Sequence, residues 1–121
     1  MVTIAIVDDD PYIVEVFAVK FEHAGHSVLP FTNPQEALEK LPHLAPDIIL
    51  LDLMMTPITG LQFLDEWRKL ESLREVPVII LSAWDVSSED REKYASVITR
   101  VIRKPVLPRA LLETVRELCP G

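Results

Sequence analysis

Three carboxylates, a hydroxyl and an amine stand at or just past the ends of four short apolar runs. TIAIV precedes Asp8 and Asp9, DIILL precedes Asp52, VPVIIL precedes Ser82 and RVIR precedes Lys104. Short continuous apolar runs read as strands buried on both faces of a parallel sheet, and ligands of such sheets bind beyond the carboxyl ends of the strands. Four strands therefore aim polar groups into one crevice. A cluster of partly desolvated carboxylates repels itself and must either take up protons or bind a cation. A hard cation such as Mg2+ resolves the repulsion, because it takes one or two carboxylates, keeps several waters and leaves a position for a phosphoryl oxygen. The chemistry indicated is divalent-metal binding with transfer of a phosphoryl group onto Asp52.

Five apolar runs alternate with amphipathic stretches, which predicts a five-unit βα architecture with a doubly wound sheet. Strands are expected at about 3–7, 27–31, 47–51, 78–81 and 97–102. The first helix starts at Pro11 behind Asp9 or Asp10 and ends near Gly25; the second is capped by Asn33, opens on Pro34 and runs to Leu41. Met54 to Gly60 reads as a loop and 61–73 as the third helix. Ser87 or Ser88 caps the fourth, and 108–118 forms the fifth, with Leu107, Leu111, Val115 and Leu118 on one side.

The chain has 121 residues, 49% of them hydrophobic, and a formal net charge of -7. That fits one domain, 1–121, with a core and no room for an output domain. No apolar stretch approaches the roughly 18–20 residues that span a bilayer, and the N-terminus lacks a signal-peptide layout, so a cytoplasmic protein without membrane attachment is expected. The lone Cys119 allows no internal disulfide. The acidic balance, with no Lys/Arg run, argues against direct nucleic-acid binding.

The order VDD, LLDLMM, LSA and KP, spread over successive strands of the whole chain, resembles the receiver domain of two-component response regulators. The resemblance implies a flavodoxin-like α/β fold with strand order 2-1-3-4-5. It also implies that Asp52 is the phosphoacceptor, attacking the phosphorus of a phosphohistidine on a histidine kinase or histidine phosphotransfer protein. Asp9 matches the direct Mg2+ ligand and Asp8 a neighbour acting largely through water; Asp52 and the backbone carbonyl of Met54 complete the metal set. Asp10 has no motif role and reads as a cap. Lys104 matches the cation that meets a phosphoryl oxygen, and Ser82 the hydroxyl that moves to hydrogen-bond the phosphoryl group. In the family the bond before the proline matching Pro105 is often cis. The partners implied are that phosphodonor and a downstream effector or output domain, with a phosphorylation-dependent homodimer as a further option. The chain would be no enzyme for a separate substrate, catalysing only its own aspartyl phosphorylation and dephosphorylation.

Three places depart from the family pattern. The switch aromatic three residues before the lysine is Val101, the proline four residues after the acceptor is Thr56 with Pro57 following, and Ala95-Ser96-Val97 replaces the usual Gly-Ala turn. Two positions tune phosphate lifetime in the family, and here they are Met54 and Trp84, both bulky and apolar, which predicts a shielded and long-lived phosphoryl group. On the first helix Val14, Phe17, Ala18 and Phe21 form the stripe for the sheet. Tyr12, Val16 and Val19 share another face, expected to dock the phosphodonor.

Two other functional classes compete. A receiver-like interaction module acting without phosphorylation is favoured by the missing aromatic and opposed by the complete acceptor set. A flavodoxin-type cofactor carrier needs a Ser/Thr/Gly-rich phosphate-cradling turn after the first strand, where Asp8 to Asp10 would instead repel the phosphate. His23, His26 and His43 lie away from the strand ends, and no acid/base pair for hydrolysis accompanies the carboxylates.

Overall fold

The strands with the longest apolar runs take the centre of the sheet. In the computed structural model, which describes residues 1–71 and 75–120, the order of elements is β1 (Thr3–Val7), α1 (Pro11–His23), β2 (Ser27–Phe31), α2 (Pro34–Leu44), β3 (Ile48–Asp52), α3 (Gly60–Trp67), β4 (Val78–Ser82), α4 (Ser88–Lys93), β5 (Arg100–Arg103) and α5 (Pro108–Leu118). All strands pair in parallel in the order β2-β1-β3-β4-β5. Every residue of β3 and β4 is buried, whereas the edge strands β2 and β5 are partly open. Pro30 lies on edge strand β2, where a missing N–H is tolerated.

Alternation along the strands sorts side chains into two cores. Ile4, Ile6, Ile48, Leu50, Ile79 and Leu81 meet Val14, Phe17 and Phe21 of α1 and Leu111 and Val115 of α5. Ala5, Val7, Ile49, Leu51, Val78 and Ile80 meet Ala37 and Leu41 of α2, with Phe63, Leu64 and Trp67 of α3. The two faces thus carry different helices, as a doubly wound sheet requires. At β1-β3-β4 this alternation leaves the strand ends free to deliver Asp8, Asp52 and Ser82 to one edge.

Local chemistry sets the helix starts. Asp10 caps α1 by accepting from Tyr12 N, Asn33 caps α2 by accepting from Gln35 N and Glu36 N, and Ser87 caps α4 by accepting from Asp90 N. Thr59 and Gln62 form a reciprocal capping box, which moves the start of α3 to Gly60.

Several expected boundaries are corrected. Helix α2 runs through Pro42 to Leu44, because a proline in the last turn forfeits a single backbone bond; it stops at Ala45, in the left-handed region at φ 49°, just before Pro46. Helix α3 ends at Trp67 in tight turns from Lys69 N to Glu66 O and Leu70 N to Trp67 O, and positions 72–73 of the expected helix lie outside the described residues. Strand β5 starts at Arg100, since Val97 N and Ile98 N both bond back to Tyr94 O and extend the turn after α4. Leu107 does not join the apolar side of α5; it is the exposed N-cap residue, while Leu111 and Val115 are buried. Strand β3 is shifted by one residue and includes Asp52.

Candidate functional site

The three acidic positions converge. Asp8 follows β1, its N–H bonded to Phe31 O and one carboxylate oxygen accepting from Asp10 N at 3.0 Å, so the turn into α1 holds it in place. Asp52 ends β3. One ligand oxygen from each of Asp8, Asp9 and Asp52 lies within 4.8 Å of the others, a set of hard oxygen donors suited to a divalent cation. Asp8 and Asp52 are 3% and 7% exposed, and Asp9 is more open. Mg2+ fits the residues present: three hard oxygen donors are crowded together at a largely buried place, and the one ammonium beside them leaves an excess of negative charge.

Lys104, from the far end of β5, reaches into this cluster. Its Nζ donates to Asp8 Oδ2 at 3.2 Å and to Asp52 Oδ1 at 3.1 Å. Burial opposes the ammonium charge, but the hydrogen bonds and charges of Asp52 and Asp8 outweigh it and hold Lys104 above its ordinary range. Asp52 is pushed up as well, first by burial and then by Asp8, with Lys104 offsetting only part of the shift. A single cation among three carboxylates leaves an excess of negative charge, which adds to burial in raising Asp52 and outweighs burial in raising Lys104.

Ser82 ends β4, 1% exposed, with its hydroxyl accepting from Trp84 N at 3.1 Å and its carbonyl accepting from Lys104 N at 2.8 Å. The second contact ties the β4 end to the lysine strand. Both the Lys104–Pro105 and the Thr56–Pro57 bonds are cis. Gly60 packs under β3, where a Cβ would lie 2.6 Å from the carbonyl oxygen of Asp52 and 2.8 Å from Leu53 Cα.

The remaining predicted positions surround this centre. Met54 and Trp84 are both exposed, one on the loop after β3 and one on the loop after β4. Val101 is half-buried on β5 and packs against the core on the α2 and α3 side of the sheet, lining a cavity with Arg91, Ala95 and Ile98. Tyr12 and Val19 are exposed on α1, at 72% and 55%, but Val16 is half-buried, so the proposed docking face is narrower than the periodicity indicated. Thr56, noted in the sequence only as a departure, donates from its backbone N–H and its hydroxyl to Asp9 Oδ2, at 3.2 and 3.4 Å. The readable signal was its identity: any residue but proline there restores an N–H.

Comparison with known proteins bears on this arrangement. Residues 4–116 match the family model for the response regulator receiver domain. The chain belongs to that family. It is 32% identical over 114 residues, 94% of its length, to the phosphate regulon transcriptional regulatory protein PhoB of Pseudomonas aeruginosa, covering 50% of that protein. The receiver spans about half the length of PhoB and of other curated relatives it matches. Its fold superposes on the N-terminal domain of a response regulator receiver protein from Methanoculleus marisnigri JR1 with a TM-score of 0.80 at 33% identity, covering 100% of this chain and 98% of that one. It also superposes on the response regulator TrrA of Thermotoga maritima, solved in complex with Mg(2+)-BeF, with a TM-score of 0.80 at 28% identity over 98% of this chain and 99% of that one. The expected fold, a five-stranded parallel sheet of order 2-1-3-4-5 with five helices in the CheY-like, flavodoxin-like class, is the one found. Among the described residues no helix is long and apolar enough to cross a membrane.

Proposed function

We propose that this receiver domain is a phosphoacceptor switch that takes a phosphoryl group onto Asp52. The observation that carries the reading is the placement of Lys104 Nζ within 3.2 Å of both Asp8 and Asp52, inside an acidic triad able to hold a divalent cation. A carboxylate oxygen of Asp52 attacks the phosphorus of a phosphohistidine; the new O–P bond replaces the N–P bond, whose electron pair stays on the leaving nitrogen, and the imidazole departs neutral, keeping the proton already on its other ring nitrogen. Asp8, Asp9 and Asp52, with the Met54 carbonyl, would hold Mg2+. When bound, the ion supplies positive charge to the carboxylates and to the phosphoryl oxygens. Lys104 is held protonated beside the acceptor and is positioned to meet a phosphoryl oxygen.

The Ser82 hydroxyl, now satisfied by Trp84 N, is the donor available to a phosphoryl oxygen; turning toward it releases that contact and moves the loop carrying Trp84. Met54 and Trp84 flank the acceptor on two loops and shield the acyl phosphate from water. The domain acts on no separate substrate, and a cytoplasmic setting suits a phosphorelay.

The phosphodonor, a histidine kinase or phosphotransfer protein, docks on Tyr12 and Val19 of α1. The adjoining groove between α1 and α5, lined by Lys20, Phe21, Leu107, Arg109, Leu112 and Arg116, adds three cations that are scattered in sequence. Val19→Asp is expected to slow transfer from a protein donor while leaving acetyl phosphate unaffected. Equal slowing of both would remove the docking assignment.

A second reading, interaction without phosphorylation, draws on Val101, since no aromatic there can turn inward when Ser82 moves. Intact mass after incubation with acetyl phosphate separates the two. The acceptor reading expects one phosphoryl adduct that requires both Mg2+ and Asp52 and is lost in Asp52→Asn. No adduct, or one retained in Asp52→Asn, would reject it.

A further inference from the structure

Lys104 ties down two of the three acidic side chains and leaves the third. Its ammonium bonds Asp8 and Asp52, whereas the Asp9 carboxylate is hydrogen-bonded among the described residues only by Thr56. Asp9 is also the more open of the three, so repulsion from Asp8 and Asp52 would drive it toward solvent. Thr56 is exposed and contributes nothing to either core. Its two donors meet a single oxygen, Asp9 Oδ2, and leave the other carboxylate oxygen without a hydrogen-bond partner among the described residues. A proline at this position would provide neither donor.

We infer that Thr56 is a positioning residue for Asp9: its N–H and hydroxyl hold the carboxylate in the acidic triad before any cation arrives, and so raise the affinity of this chain for Mg2+. The inference rests on the metal-binding reading proposed above. Outer contacts of this kind act by orienting a ligand and removing the cost of gathering it on binding. The backbone bond survives any replacement except proline, so the hydroxyl is the part that can be tested cleanly.

The experiment is a calorimetric titration of MgCl2 into the full chain and into Thr56→Ser, Thr56→Val and Thr56→Ala, each checked for folding by circular dichroism. Removing an orienting outer contact typically costs about 10–100-fold in metal affinity, and with the N–H retained Thr56→Val and Thr56→Ala are expected near the lower end, at about tenfold. Thr56→Ser, which keeps both donors, should stay within about twofold of the parent chain. If the parent and all variants bind Mg2+ equally, or the valine and alanine variants bind more tightly, the positioning role is wrong and the metal site stands. A serine variant as weak as the valine one also overturns it, because the hydroxyl is then not the cause. If the parent chain binds no Mg2+, the underlying metal reading fails, and this inference with it.

Discussion

Replacing Asp52 by Asn should make the metal-free domain more stable, the reverse of what loss of a buried ion pair usually does. At an effective dielectric of about 20, charges at the 4.8 Å limit that encloses the triad repel by about 3–4 kcal/mol, which is the least that Asp8 contributes. Asp9 is more open to solvent, so screening reduces its share to about 1 kcal/mol. The Lys104 ammonium, 3.1 Å away, returns about 5 kcal/mol. These terms nearly cancel, and the balance falls to the burial of the carboxylate, which costs several kcal/mol for a charged group. Asparagine keeps an acceptor for Lys104, but its amide loses part of its hydration, at about 1–3 kcal/mol. The expected net gain is about 1–2 kcal/mol, or about 3–8 °C in midpoint for a domain of this size.

Calorimetric melting in EDTA near pH 7.5 measures it. Saturating Mg2+ should close or reverse the gap, since a cation bound to the folded state stabilises the parent by RT ln(1 + [L]/Kd). The pH dependence has a definite sign. Asp52 has a folded pKa above its ordinary 3.8, so its contribution is fully present below 3.8 and is lost as pH rises through the raised value. The gap should therefore open over that interval and be absent in strong acid. An EDTA melt in which Asp52→Asn is equal to or below the parent would refute the reasoning, because the Lys104 pair would then outweigh both burial and the like charges.

Gly60→Ala places a methyl 2.6 Å from the backbone oxygen of Asp52, where no side-chain rotation gives relief, and should lower stability by about 1–3 kcal/mol, read as a urea midpoint. An unchanged midpoint would mean that the β3–α3 junction yields freely. The double replacement Met54→Asn with Trp84→Glu should speed loss of the phosphoryl group on the order of tenfold, about 1.4 kcal/mol in barrier, followed by mass against time; an unaltered rate would dismiss the apolar shield. His26 accepts from Val2 N through Nδ1 at 3.2 Å, and burial, assisted by the N-terminal amine and Arg116, lowers its pKa. Its contribution is present above the ordinary 6.5 and is lost as pH falls through the lowered value, so His26→Gln should flatten the stability profile there. A ring titrating at or above 6.5 by NMR would contradict this.

Much of this protein was legible from its residues because the signals are short-range. Apolar runs bounded by caps marked all five strands, and Asp10-Pro11 and Asn33-Pro34 placed two helix starts to the residue. Asp8, Asp9, Asp52, Ser82 and Lys104 could be collected into one site because a parallel sheet sends every strand end to the same edge. Boundaries that depend on tertiary context went astray: Tyr94 O captures two amides and delays β5, and Pro42 is carried inside α2. Side-chain reach across the sheet was decided by packing alone. That Lys104 grips Asp8 and Asp52 but not Asp9, that Thr56 serves Asp9, and that Lys20, Arg109 and Arg116 share a groove depend on distances between strands and helices far apart in the chain. Residue order determines which groups arrive at the site; only the folded packing determines which of them touch, because hydrogen bonds and ion pairs require contact within a few ångströms.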